Sequence, residues 1–76
     1  MTALILIRLV VGKEHSTLKA LKDIPGVKQI TGVFGTWDCV CTVEAADLQS
    51  LAFRVVGRVR AISGVSATDT LIGVNF

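Results

Sequence analysis

Histidine and proline each occur once in the 76 residues, cysteine occurs twice, and aspartate and glutamate together number six. These shortages bear first on chemistry. A tetrahedral zinc site needs four ligands, and the one histidine, His15, stands without partners at the start of an expected helix. No Ser/His/Asp set and no close pair of carboxylates marks a catalytic cleft. The chain therefore reads as a non-enzyme without metal or cofactor. "VGKEHST", Val11 to Thr17, puts Gly-Lys ahead of Ser-Thr but lacks the first glycine and the spacing of a phosphate loop.

Charge is scarce as well. Charged residues make up 18% of the chain, with a net charge of +2 and no basic block, so there is no electrostatic footprint for direct DNA binding. A long hydrophobic run is also missing. "MTALILIRLVVG" is interrupted at Arg8, falls far short of the roughly 20 residues of a membrane span, and has neither a basic lead nor a small-residue cleavage site. The expectation is a buried strand in a cytoplasmic protein, with no membrane contact.

What the chain does have is apolar bulk, 51% of its residues, at the upper edge of the globular range. A chain of this length makes one domain, spanning residues 1–76, and buries only about 60% of its unfolded surface or a little more. Self-association would help it.

An internal repeat organises the chain. "LKALKDIPGVKQITGVFG", Leu18 to Gly35, aligns without a gap on "VGRVRAISGVSATDTLIG", Val56 to Gly73. Ile24, Gly26, Val27 and Gly35 fall on Ile62, Gly64, Val65 and Gly73, an offset of 38 residues (64 − 26). Both halves therefore run helix, turn, strand. Each is preceded by a further strand: residues 3–11 are nearly continuous apolar, and Cys39 to Val43 alternates. The first helix is expected over residues 14–23, with Leu18 and Leu21 inward, ending at Pro25-Gly26. The second is expected over 47–61, with Asp47 as N-cap and Leu48, Leu51, Ala52, Val55, Val59 and Ile62 inward. Two such halves give an α+β chain of the ferredoxin-like βαββαβ type, a four-stranded antiparallel sheet with two helices on one face.

That arrangement leaves the other sheet face to water, yet the first strand is apolar on both faces. At about 1.5–3 kcal/mol per large aliphatic side chain, Leu4, Leu6 and Val10 represent roughly 5–9 kcal/mol that a monomer forgoes. A second copy packed sheet to sheet is the simplest cover, so the chain is expected to be a dimer, with Arg8 reaching an edge or pairing with a carboxylate across the interface.

"GVFGTWDCVC", Gly32 to Cys41, gathers the only tryptophan and both cysteines. Two residues apart on a strand, Cys39 and Cys41 have Cα atoms about 7 Å apart, at the limit for a disulfide, and read as reduced core packing. The turn between the Phe34 strand and the Cys39 strand has two readings. As a plain hairpin, Gly35 supplies positive φ while Thr36 and Asp38 bond nearby backbone. As a ligand loop, its N–H groups hold a carboxylate and Asp38 takes an ammonium, with Thr68, Asp69 and Thr70 adding polar groups on the last strand.

From the first strand to "LIG" the chain resembles the effector-binding domain of the Lrp/AsnC family of feast/famine transcriptional regulators. The landmarks are "LKDIPGV", "GVFGTWD" in the place of a Gly-x-aromatic-Asp turn, and "AISGVSATDT" in the place of a Pro-Gly-Val…Thr-x-Thr ending. Ser63 stands where proline is usual and Trp37 where tyrosine or phenylalanine is commoner. Family regulators add a helix-turn-helix domain, whereas this chain starts at the first strand, resembling the stand-alone module or one cut to it. The resemblance implies dimers joined through their sheets, rings of dimers, and a free amino acid bound at subunit junctions. By matching position it implies ligand contacts at Gly35, Thr36, Asp38, Thr68 and Thr70. It further implies a sensor without DNA affinity of its own, co-assembling with full-length Lrp/AsnC regulators. The rival reading is a structural oligomerisation module whose pocket is vestigial.

Overall fold

Alternate residues of the N-terminal run take opposite environments. In the computed structural model, which describes residues 1–73, Ala3, Ile5 and Ile7 are buried, while Leu4 and Arg8 are exposed and Leu6 is half-buried. This alternation is strand β1 (Thr2–Leu9). Helix α1 (Glu14–Lys22), β2 (Val27–Gly32) and β3 (Cys39–Glu44) follow. A second helical rod then runs through α2 (Leu48–Ser50), a π-helical segment (Leu51–Val56) and α3 (Gly57–Ala61), and β4 (Val65–Ile72) closes the described chain. The strands form one antiparallel sheet in the order β2-β3-β1-β4. Leu21 of α1 and Leu51, Val55 and Val59 of the rod pack with Ile5, Ile7, Cys39, Cys41 and Val43, all from one sheet face. The ferredoxin-like fold expected from the sequence is thus the observed one. No helix of the described residues is long and apolar enough to cross a membrane.

The repeat extends to individual contacts. In the first half Ile24 N–H donates to the Leu21 carbonyl (3.2 Å) and Val27 N–H to that of Ile24 (3.2 Å). In the second, Ile62 N–H donates to Val59 (3.2 Å) and Val65 N–H to Ile62 (3.0 Å). These are the same bonds 38 residues on (62 − 24). The turn glycines are equivalent too. A Cβ on Gly26, which has φ +102°, would lie 2.7 Å from the Glu44 carbonyl oxygen and 3.0 Å from Val55, while one on Gly64 would overlap the Thr17 hydroxyl. Thr17 and Val55 are again 38 apart (55 − 17), so each half seats its turn glycine against the helix of the other.

Three expectations need correction. β2 ends at Gly32, so Phe34 lies in the connecting loop, fully exposed, and not in a strand. Leu48 is 55% exposed and Ala52 is exposed, although both belong to the apolar stripe of an ideal helix. The π-helical segment is the cause. Gly57 N–H bonds the Ala52 carbonyl, five residues back, and this wider turn advances each residue by less than the α-helical 100°. Four residues then make nearly one turn, so Leu51, Val55 and Val59 line up on the core while Leu48 and Ala52 rotate out of it. The third correction concerns the open sheet face. Leu4 and Leu71, partners across β1 and β4, are 41% and 46% exposed. Leu6 and Val10 are already half-buried. The apolar surface that a monomer leaves uncovered is smaller than the sequence suggested.

Candidate ligand-binding site

Gly35, Thr36 and Asp38 sit in the loop between β2 and β3, which Val33 N–H closes onto the Asp38 carbonyl (3.0 Å). Gly35 has φ +126°, a conformation that favours glycine. Two side chains fasten this loop to β1. Asp38 N–H donates to the Ile7 carbonyl (2.9 Å), and its Oδ2 accepts from Leu9 N–H (2.8 Å), so the carboxylate continues the β1–β3 ladder beyond Cys39. Arg8 donates through Nε (3.1 Å) and Nη2 (2.8 Å) to the Thr36 carbonyl, with its guanidinium carbon 5.5 Å from the centre of the Trp37 ring. Arg8 therefore reaches the end of the sheet within its own chain. Asp38 retains a second carboxylate oxygen with acceptor capacity.

Thr68 and Thr70 lie on the helix-facing side of β4, opposite Ile7 and Ile5 of β1. They line a cleft of about 570 Å³ between β4 and the second helical rod, with Val56, Arg60, Val65, Ser66, Ala67 and Asp69. Its polar side chains are the Arg60 guanidinium and the hydroxyls of Ser66, Thr68 and Thr70. Asp69 belongs to the opposite sheet face, opposite Leu6. Its side chain therefore leaves the sheet on the side away from the threonines, and Asp69 borders the cleft as part of the edge strand β4. Arg60 was missed in the sequence as a site residue. The repeat aligns it with Lys22, a match of charge alone, and only the packing of α3 beside β4 brings it to the threonines.

The expected site residues fall into two groups. Ile7 accepts from Asp38 on one side and pairs with Thr68 on the other, so β1 stands between the loop and the cleft, two strand spacings or about 10 Å across. The cleft is lined by no residue of the loop. Within one chain, Thr68 and Thr70 come together with Arg60, and Gly35, Thr36 and Asp38 do not join them.

Cys39 and Cys41 occupy the inner face of β3, buried and free. Their mutual side-chain hydrogen bond, together with burial, pushes the Cys41 thiol up, so it stays protonated at neutral pH; the same bond lowers Cys39. Two neighbouring thiols in a core are explained by packing.

The Lrp/AsnC ligand binding domain family matches residues 2–75. The crystal structure of FFRP-DM1 superposes with a TM-score of 0.88 at 30% identity, over 96% of this chain and 97% of that one. An uncharacterised helix-turn-helix-type transcriptional regulator of Pyrococcus furiosus is 31% identical over 59 residues, 78% of this chain and 39% of the regulator. Homocitrate synthase of Sulfurisphaera tokodaii is 38% identical over 52 residues, 68% of this chain but 11% of the enzyme. The chain thus spans well under half the length of these two relatives. With a family match running from the first strand past the last, on a βαββαβ sheet, the chain belongs to the Lrp/AsnC ligand-binding domain family.

Proposed function

We propose that the chain is an oligomeric regulatory module of the Lrp/AsnC type that binds a free amino acid in the cleft beside β4. The observation that carries this reading is a cleft that gathers a cation, Arg60, with three hydroxyl-bearing residues of β4, Ser66, Thr68 and Thr70. A zwitterion presents one anion and one cation a few ångströms apart, and its oxyanion suits a guanidinium fork. Relatives that are transcriptional regulators support the regulatory role. A regulator of Neisseria meningitidis that shares the fold, 14% identical with a TM-score of 0.87 over 49% of its own length, was crystallised as a complex with L-Met.

Gly35, Thr36 and Asp38 have their part at a subunit junction. Since β1 separates them from the cleft of their own chain, they reach a bound ligand from a second copy. The sheet faces carrying Leu4, Leu6 and Leu71 join two copies, and further contacts between dimers build a ring. Residues 1–76 act as one ligand-binding domain, and control of DNA passes through full-length Lrp/AsnC regulators that co-assemble with it. A structural oligomerisation module with a vestigial pocket is the second reading. It is favoured by the loop, whose Asp38 and Thr36 already have partners in Leu9 and Arg8.

A thermal-shift screen of the twenty amino acids separates the two. A ligand that binds only the folded state at a hundredfold excess over its Kd adds about 2.7 kcal/mol of stability. Thr70→Val and Arg60→Gln should each abolish that shift. No shift with any amino acid at millimolar concentration leaves the oligomerisation module standing.

A further inference from the structure

The four-residue register of the second helical rod sorts its side chains into rows. Leu51, Val55 and Val59 form the buried row, and Leu48, Ala52, Val56 and Arg60 run along the side that faces β4. On the other flank Ser50, Arg54 and Arg58 follow one another, while Gln49, Phe53 and Gly57 make up the outermost row. The rod carries three arginines between Leu48 and Ala61 and no acid. Its register sends Arg60 to the cleft beside β4 and the other two away from it.

Arg54 and Arg58 line a separate cavity of about 470 Å³, bounded by Ser50, the Pro25-Gly26 turn and the end of β3 at Glu44. Alternation along β3 puts Cys39, Cys41 and Val43 on the helix side and sends the Glu44 side chain to the opposite sheet face. Among the described residues, the charged side chains that face this cavity are thus two cations. Four residues apart, they are set about 6 Å from each other along the rod, a spacing at which two guanidinium forks can each hold one of two neighbouring phosphoryl groups.

A hollow of about 430 Å³ adjoins the cavity, sharing Ser50 and Arg54 and adding Asp47, Gln49 and Phe53. Phe53 is 74% exposed, an aromatic face that the core does not use. A helical side chain covers the turn before its own Cα, and the residue placed to cover Phe53 is Gly57, which has none. We propose that cavity and hollow together bind a nucleoside diphosphate, with the diphosphate between Arg54 and Arg58 and the base stacked on Phe53. Every nucleobase offers a π-face to an aromatic ring, and Gln49 supplies an amide donor and acceptor beside it. Asp47, whose Oδ1 accepts from Ser50 N–H, keeps its second carboxylate oxygen for a hydroxyl of the sugar. This site shares no residue with the cleft beside β4, so it stands or falls independently of the amino-acid reading.

Calorimetric titration of the intact chain with ADP, pyrophosphate and adenosine, without divalent cations and at one fixed ionic strength, tests the proposal. ADP should bind about fivefold or more tightly than pyrophosphate, the gain that stacking of a base provides, and adenosine should bind more weakly than either. Arg54→Gln and Arg58→Gln, both at exposed positions, should each weaken ADP and pyrophosphate about tenfold or more. Phe53→Ala, also exposed, should bring ADP down to the level of pyrophosphate and leave pyrophosphate unchanged. Arg60→Gln should bind all three like the parent. The proposal is overturned if neither ADP nor pyrophosphate binds, or if ADP binds no more tightly than pyrophosphate. It is equally overturned if ADP binding survives intact in both Arg54→Gln and Arg58→Gln, or is lost in Arg60→Gln, which assigns the nucleotide to the β4 cleft.

Discussion

Thr17 places a hydroxyl where its counterpart in the second half, Val55, places a methyl. The Thr17 hydroxyl oxygen is buried and has no hydrogen-bond partner among the described residues, a condition that costs about 1–3 kcal/mol. Thr17→Val copies the other half. It should raise stability by about 1 kcal/mol, a gain of roughly 4–8 °C in melting temperature for a domain of this size. Gly64→Ala at the facing turn should do the opposite, because the added methyl overlaps that hydroxyl. The loop yields a different test at the same scale. Asp38→Asn keeps an oxygen for Leu9 N–H and should fold normally, while Asp38→Ala releases that N–H and should lower the melting point. If the two variants melt alike, the carboxylate is not what extends the β1–β3 ladder.

Among the elements, the second helical rod both met and departed from expectation. Its start was legible: Asp47 caps it, with Oδ1 accepting from Ser50 N–H (2.7 Å). The backbone and side-chain hydrogen bonds with Ser50 hold the Asp47 carboxyl below its usual 3.8. A carboxyl lowered on folding stabilises the fold above its unfolded value and loses that contribution as pH falls through the folded one. Asp47→Asn retains a capping oxygen but has no proton to gain. Urea unfolding should therefore find the parent ahead of the variant at neutral pH, with the gap closing as the pH falls below 3.8. The middle of the rod was not legible. Leu48, Leu51, Ala52, Val55 and Val59 fit an α-helical stripe, and nothing in that spacing distinguishes it from one containing a five-residue closure. The strands and turns were readable because alternation in β1 and β3 and the repeated Ile-x-Gly-Val each reflect a local constraint. The gathering of Arg60 with Thr68 and Thr70 around one cleft was hidden, since it depends on how the rod lies against the sheet. For the same reason the sequence could name both Asp38 and Thr70 but not reveal that β1 stands between them.

For the whole molecule, the proposed assembly rests on the open sheet face. At about 1.5–3 kcal/mol for full burial of a large aliphatic side chain, the exposed fractions of Leu4 and Leu71 amount to roughly 1–3 kcal/mol per chain. Association through this face should therefore depend visibly on concentration. Light scattering across the micromolar range should find dimers or larger forms. Leu6→Glu, which would bury an unpaired charge in the joint, should leave monomers or unfold the chain. A parent that stays monomeric throughout sinks the sheet-to-sheet proposal.

The reciprocal seating of Gly26 against Val55 and of Gly64 against Thr17 also governs what happens to a severed chain. A cut between Phe34 and Gly35 divides the molecule into two βαβ pieces, and each piece loses the helix against which its own turn closes. Neither fragment should show helical circular dichroism alone. Mixed in equal amounts they should recover it cooperatively, as a noncovalent heterodimer whose joint is the former core.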